Sequence, residues 1–113
     1  MKHTLVAVIA TAVVAAVGAQ GTAREHLERG RALWDQRLSK SAIAALEIAA
    51  ADRGTAAEAH EALGRLYTFK GWLQDNVFPG WHDEPAVRQK AIAELKASLA
   101  VDPLRASAQE ALR

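Results

Sequence analysis

Apolar residues recur along the chain at helical spacing and nowhere alternate with period two, so the pattern predicts helices and no strands. Leu27, Leu33 and Trp34 recur among Arg, Glu and Asp over 24–36, a first helix. Residues 37–41 break the pattern and offer Ser39 or Ser41 as an N-cap. Ile43, Leu46 and Ile48, with the alanines around them, give a second helix over 42–52, and Gly54 stands where a left-handed residue would end it. Thr55 and Glu58 have capping-box spacing and open a third helix. It runs through Leu63, Leu66 and Tyr67 to about Lys70, where Gly71 weakens its continuation. Asp83 is placed as the N-cap of a fourth helix with Pro85 in its first turn. That helix runs to about Val101 and is stopped by Asp102-Pro103; alanine and leucine in 104–113 suit a short fifth helix.

The amino terminus follows a different pattern. A basic start, Met1-Lys2-His3, precedes an unbroken apolar run with one threonine over 5–17, then Val17-Gly18-Ala19-Gln20. This is the three-part pattern of a secretory signal peptide, residues 1–19, with cleavage expected after Ala19. At about 1.5 Å per residue the run covers ~20 Å, short of a ~30 Å hydrocarbon core. An uncleaved membrane anchor is the alternative. The expected location is the periplasm or the secreted space. With no cysteine, lipidation at an N-terminal Cys, disulfides, c-type haem attachment and thiolate metal sites are excluded.

The helical domain, 20–113, is a single domain. Hydrophobic residues make up 50% of the chain, much of it alanine, which predicts thin and closely packed helices. Fourteen Lys and Arg against thirteen Asp and Glu leave a net charge of +1 with no basic block, so nothing marks a nucleic-acid partner.

A repeat underlies the helices. Gly30 lies over Gly64 at an offset of 34 residues, and the same offset puts His26 over His60 and Leu33 over Tyr67. The physical reading is a glycine that lets a partner helix approach, an alanine that fills the facing position and a bulky residue four further on. In the first unit these are Gly30, Ala42, Leu46 and Ala49. With Leu63-Gly64, Tyr67, Lys70-Gly71, Ala91, Leu95, Ser98 and Asp102-Pro103 the second unit resembles the tetratricopeptide repeat family. The resemblance covers about 23–113, roughly two and a half units. It implies an all-α fold of antiparallel helix pairs stacked as a short solenoid, acting as a scaffold without chemistry of its own. Leu33 in place of the family's tyrosine and Gly54 in place of its closing proline depart from the pattern. The clamp by which some members hold acidic chaperone tails needs Lys and Asn on the first-helix face. Here that face carries Leu27, Arg31, Glu58, Glu61 and Arg65, and the clamp is not implied.

Gly64 and Ala91 stand 27 residues apart where Gly30 and Ala42 stand 12 apart, an excess of 15 at the turn between paired helices. The insertion, 72–86, reads as one long aromatic loop with Pro79-Gly80 at the centre of a type II turn. Trp72, Phe78 and Trp81 either form a platform for a protein or peptide or fold back to plug a small alanine-rich core. His82-Asp83-Glu84 offers metal-type ligands, but three consecutive residues converge poorly on one ion and Asp83 has a capping role, so no metal site and no cofactor is expected. Equivalent positions would bring His26 and His60 near one another as inherited packing. Arg31 and Arg65 are the charged binding candidates, on a mixed-charge helix surface whose plain reading is a solvated face. Serines 39, 41, 98 and 107 lack the context of a nucleophile, and no phosphate-binding glycine loop occurs, so an enzyme is not expected.

The function expected is therefore an interaction module of the cell envelope or secreted space, with Trp72, Phe78, Trp81, His82, Arg31 and Arg65 as candidate partner-binding residues. A helical protein that binds a small ligand or metal through Trp81, His82 and the histidine pair is the alternative of another class. A third is the amino-terminal piece of a longer repeat protein. Self-association would cover an open end of the repeat stack.

Overall fold

The computed structural model describes residues 21–80 and 84–113, which form five helices and, among the described residues, no strand. They are α1 Ala23–Asp35, α2 Ser39–Ala50, α3 Ala56–Asn76, α4 Val87–Val101 and α5 Ala106–Ala111. The leader, Trp81, His82 and Asp83 lie outside the described residues.

The chain is all-α and built from packed helix pairs. α1 and α2 are joined by residues 36–38 and lie against each other; α3 and α4 form the second pair. Along the latter, Gly64 meets Ala91 and Leu95 while Gly71, further on in α3, meets Val87 at the start of α4, so the pair runs antiparallel. One contact recurs in both. A Cβ on Gly30 would stand 2.6 Å from Leu46 Cγ and 3.3 Å from the Ala42 carbonyl oxygen. A Cβ on Gly64 would stand 2.6 Å from Leu95 Cγ and 3.2 Å from the Ala91 carbonyl oxygen. Each glycine thus lets a leucine of the opposing helix rest on bare backbone, in the first pair at the residues expected from the spacing.

α2 packs on α3 and joins the pairs into one core. Leu27, Leu46, Leu63 and Leu66 are fully buried there among Ala42, Ala49 and Ala59. Burying each leucine contributes about 2 kcal/mol, and the alanines permit the close helix spacing that makes this possible. Two hydroxyls stitch the layers: Thr55 donates to the Ala49 carbonyl and Ser98 to the Ala57 carbonyl, both at 2.7 Å.

Several local expectations are corrected. The capping interaction belongs to Thr22, which accepts from the Glu25 amide at 3.1 Å; Thr55 turns its hydroxyl back to α2 and caps nothing. Ser39 and Ser41 lie inside α2, whose first residue follows Leu38 without a side-chain cap. α2 ends at Ala50, and Gly54, held by its amide to the Asp52 carboxylate at 3.0 Å, does not adopt the left-handed conformation of a terminating glycine. Gly80 is not left-handed either, so the type II turn is not formed. Pro85 precedes α4, which starts at Val87 after a left-handed Ala86.

The largest correction concerns Gly71. It does not end α3: the helix continues for five more residues through Trp72 to Asn76. Gly71 sits one heptad after Gly64 on the face toward α4, where Val87 Cγ1 approaches it. The glycine is a packing device, and the connection between α3 and α4 shrinks to residues 77–86.

α5 packs against α4 and meets Glu61 of α3 through Ser107. Glu61 falls 34 residues after Leu27, and where Leu27 is sealed by apolar neighbours Glu61 is a buried carboxylate. It accepts from Ser107 Oγ at 2.6 Å, Arg105 Nε at 2.7 Å and Arg65 Nε at 3.0 Å. Burial pushes its carboxyl up, but these three donors outweigh burial and hold it below the ordinary carboxylate range.

Candidate functional site

Three aromatic rings form a row where α1 ends beside the extended part of α3. Trp34 meets Phe69 edge to face, with centroids 5.8 Å apart, and Phe69 stacks with Trp72 at 5.9 Å and an interplanar angle of 22°. Helical periodicity builds the second contact, since residues 69 and 72 are three apart on one face. The first needs α3 to run alongside the last turn of α1. Rings at these separations attract by about 1 kcal/mol beyond their burial. Trp72 remains 52% exposed, as does Phe78 on the connection.

Arg37 covers this row. Its guanidinium carbon lies 4.6 Å from the Trp34 centroid and 4.7 Å from that of Phe69, and Nη1 donates to the Trp34 carbonyl at 2.7 Å. Its backbone explains the reach. Arg37 is left-handed at φ 59°, its amide bonds to the Trp34 carbonyl, and the Leu38 amide bonds back to the Leu33 carbonyl. This is the Schellman termination of a helix, at the position where glycine is the usual occupant. Any other residue there costs about 1 kcal/mol.

Two clefts flank the row. One, of 510 Å³, is lined by Arg65, Thr68, Phe69, Trp72 and Ala111. The other, of 340 Å³, lies among Trp34, Arg37, Phe69, Lys70, Leu73 and Phe78. Among the described residues, the charged side chains lining them are cations. Arg65 is joined to Glu61 and donates to the Ser107 carbonyl at 3.0 Å. Lys70, 2% exposed, stands 4.0 Å from Glu84. Arg37 faces no carboxylate among the described residues.

Of the residues picked out by sequence, Trp72 and Arg65 meet at the first cleft and Phe78 lines the second. Arg31 lines neither; it is engaged by Glu28 at 3.3 Å and Glu58 at 3.4 Å. Glu58 is also held by Arg24 at 2.9 Å, and that hydrogen bond keeps its carboxyl below the ordinary range. Trp81 and His82 lie outside the described residues. Of the metal-type triplet only Glu84 is described, and it turns to Lys70 and Lys90. Gln74 donates to the Glu84 carbonyl at 3.5 Å, so the end of the connection is tied to α3 and α4. Arg88 pairs with Asp75 across the same two helices. Tyr67, 6% exposed beneath, has its phenol pushed up to about 12 by burial and by Glu84, Glu47 and Glu94. His26 and His60 serve different neighbours: His60 Nδ1 is 2.6 Å from Glu94, while Arg29 Nη1 donates to His26 Nδ1 at 3.4 Å.

Sequence reasoning passed over Phe69 and Arg37 and used Trp34 only as a helix marker. The spacing of three between Phe69 and Trp72, and again between Trp34 and Arg37, was the available signal. It is visible only if α3 is carried past Gly71. Among the described residues no helix is long and apolar enough to cross a membrane. Compared with protein-family models, curated proteins and solved structures, the chain matches none.

Proposed function

We propose that this chain is a non-catalytic interaction module, a short tetratricopeptide-like stack of helix pairs that holds a peptide segment of a partner protein along the Trp34–Phe69–Trp72 row. The observation that carries this reading is the row itself: three rings in contact, two clefts beside it, and Trp72 and Phe78 each half open to solvent. Aromatic side chains in a concave, partly desolvated setting are the usual anchors of protein interfaces. The recurring Gly30–Leu46 and Gly64–Leu95 contacts support the repeat part of the reading. The leader pattern of residues 1–19 supports a periplasmic or secreted location, checked by amino-terminal sequencing of the mature protein, which is expected to begin at Gln20.

The test is affinity capture from the cell envelope with the wild-type chain beside a Trp72→Ala/Phe78→Ser variant. Both substituted side chains are half exposed, so the variant is expected to keep the wild-type Tm within a few degrees and to lose the captured partner. Equal capture by both proteins overturns the reading, and so does the absence of any specific partner.

A further inference from the structure

Arg37 combines three features that no structural requirement of α1 explains together. It occupies a left-handed position at which glycine terminates a helix without strain. Its guanidinium lies against Trp34 and Phe69 and spends Nη1 on the Trp34 carbonyl. It faces no carboxylate among the described residues, like Arg29 and Arg53 and unlike Arg24, Arg31, Arg65, Arg88 and Arg105. A guanidinium offers five N–H donors in a planar fork, and contact with the two rings holds it in place without using up the remaining donors. The neighbouring 340 Å³ cleft is walled by Trp34, Phe69, Leu73 and Phe78, room for one large apolar side chain.

Resting on the interaction reading above, we infer that this cleft reads a peptide in which an apolar residue neighbours an aspartate or glutamate: the apolar side chain enters between Phe69 and Phe78, and the acidic side chain pairs with Arg37. Charge complementarity carries the choice of occupant. Among the described residues the charged groups lining the cleft are Arg37 and Lys70; Lys70 is already beside Glu84, so the pairing falls to Arg37. The stacked arginine then supplies selectivity, and the aromatic walls supply area. The left-handed backbone of Arg37 and the ring contacts of its guanidinium occur at the same residue.

The experiment uses fluorescein-labelled twelve-residue peptide pools, acetylated and amidated at their ends, with two adjacent positions fixed as Leu-Glu, Leu-Gln, Leu-Lys or Ser-Glu, titrated with the full mature protein and read by anisotropy. The Leu-Glu pool is expected to bind about tenfold tighter than Leu-Gln, with Leu-Lys weaker still and Ser-Glu undetected. In Arg37→Gln the Leu-Glu and Leu-Gln pools are expected to bind alike. Arg37→Gly is expected to match or exceed the wild-type Tm, because the left-handed strain is relieved, and also to lose the preference. That pairing separates recognition from a purely structural staple, for which the glycine variant melts lower. Phe78→Ser is expected to weaken all Leu pools together. Equal binding of Leu-Glu and Leu-Gln by the wild type overturns the acidic assignment while leaving an interaction surface. Survival of the preference in Arg37→Gln overturns it too, as does binding that appears only when the peptides carry a free C-terminal carboxylate. Failure of every pool to bind overturns this inference, while the interaction reading is judged separately by the envelope capture.

Discussion

The two helix pairs share one packing rule and differ in how they are closed. In α1–α2 three residues, 36–38, turn the chain; in α3–α4 ten residues, 77–86, do so, and α3 runs to 21 residues where α1 has 13. The glycine–leucine contact is nevertheless the same in both, with the hypothetical Cβ 2.6 Å from the leucine Cγ in each. The contact is therefore set by the facing helices and not by the connection. Lengthening a connection costs little, roughly 0.6 kcal/mol for each doubling. What the longer closure adds is new surface, since the extra turns of α3 carry Trp72, which stacks on Phe69 beside the end of α1.

The sharpest way to break this equivalence is to fill the bare backbone. Gly64→Val puts two methyl groups where Leu95 Cγ and the Ala91 carbonyl already crowd the first carbon, and Leu95 has no empty side to move into. Overpacking together with the helix cost of a β-branched residue is expected to destabilise by about 3 kcal/mol, read from the urea midpoint. Gly30→Val is expected to cost nearly the same, although its connection is only three residues. A cost below about 1 kcal/mol in either variant would mean that its pair slides apart freely, and the shared rule would fail.

A second difference lies at the 34-residue equivalents Leu27 and Glu61. Leu27 is buried among apolar side chains, and Glu61 is buried against α5 by Arg65, Arg105 and Ser107. Glu61→Ala strips three donors of their shared acceptor and is expected to cost about 2 kcal/mol, somewhat reduced because Arg65 is half exposed and rehydrates. Acid should imitate it. The native carboxyl is depressed, so its contribution is fully present above the unfolded carboxylate pKa near 4.3 and is lost as pH falls through the lower native value. Urea midpoints of wild type and Glu61→Gln are thus expected to be well separated at pH 7 and to converge below about pH 4. A separation independent of pH would show that the carboxylate charge contributes nothing at this seam. Leu27→Ala, by contrast, is expected to destabilise by about 3 kcal/mol at both pH values.

These contrasts also show what the sequence carried. Helix spacing and the 34-residue offset are local or strictly periodic features, and Gly30, Ala42 and Leu46 meet as their spacing implied; Gly64, Ala91 and Leu95 meet in the same way across a 15-residue insertion that spacing alone does not bridge. The helix termini were less legible because caps depend on where a hydroxyl turns. Thr22 and Thr55 both stand three residues before a glutamate, and only the first caps its helix. The candidate site was legible in part. Trp72 and Phe78 stood out by type; Phe69 adjoins Trp72 by local helical spacing once α3 passes Gly71, whereas Trp34 and Arg37 reach Phe69 only through tertiary placement, and the third helix was expected to weaken at Gly71. Propensity treats Gly71 as a weak point; the approach of Val87 gives it a packing role that no local rule reveals.

Gly71 gives the finest comparison, because it shares a face with Gly64 and differs in clearance. A Cβ on Gly71 would lie 3.4 Å from Val87 Cγ1 and 3.9 Å from Arg88 Cγ, ordinary contact, where Gly64 offers 2.6 Å. Alanine there removes the helix penalty of glycine, about 1 kcal/mol, and asks of Val87 at most a few tenths of an ångström. Gly71→Ala is therefore expected to stabilise the fold by roughly 0.5 kcal/mol, with the opposite sign to substitution at Gly64. It should also stiffen the turn that carries Trp72, so the tryptophan emission is expected to stay unshifted while the urea midpoint rises. A fall in the midpoint would mean that α4 presses on α3 along its whole length, and the closeness of Gly64 would then be nothing special to the repeat.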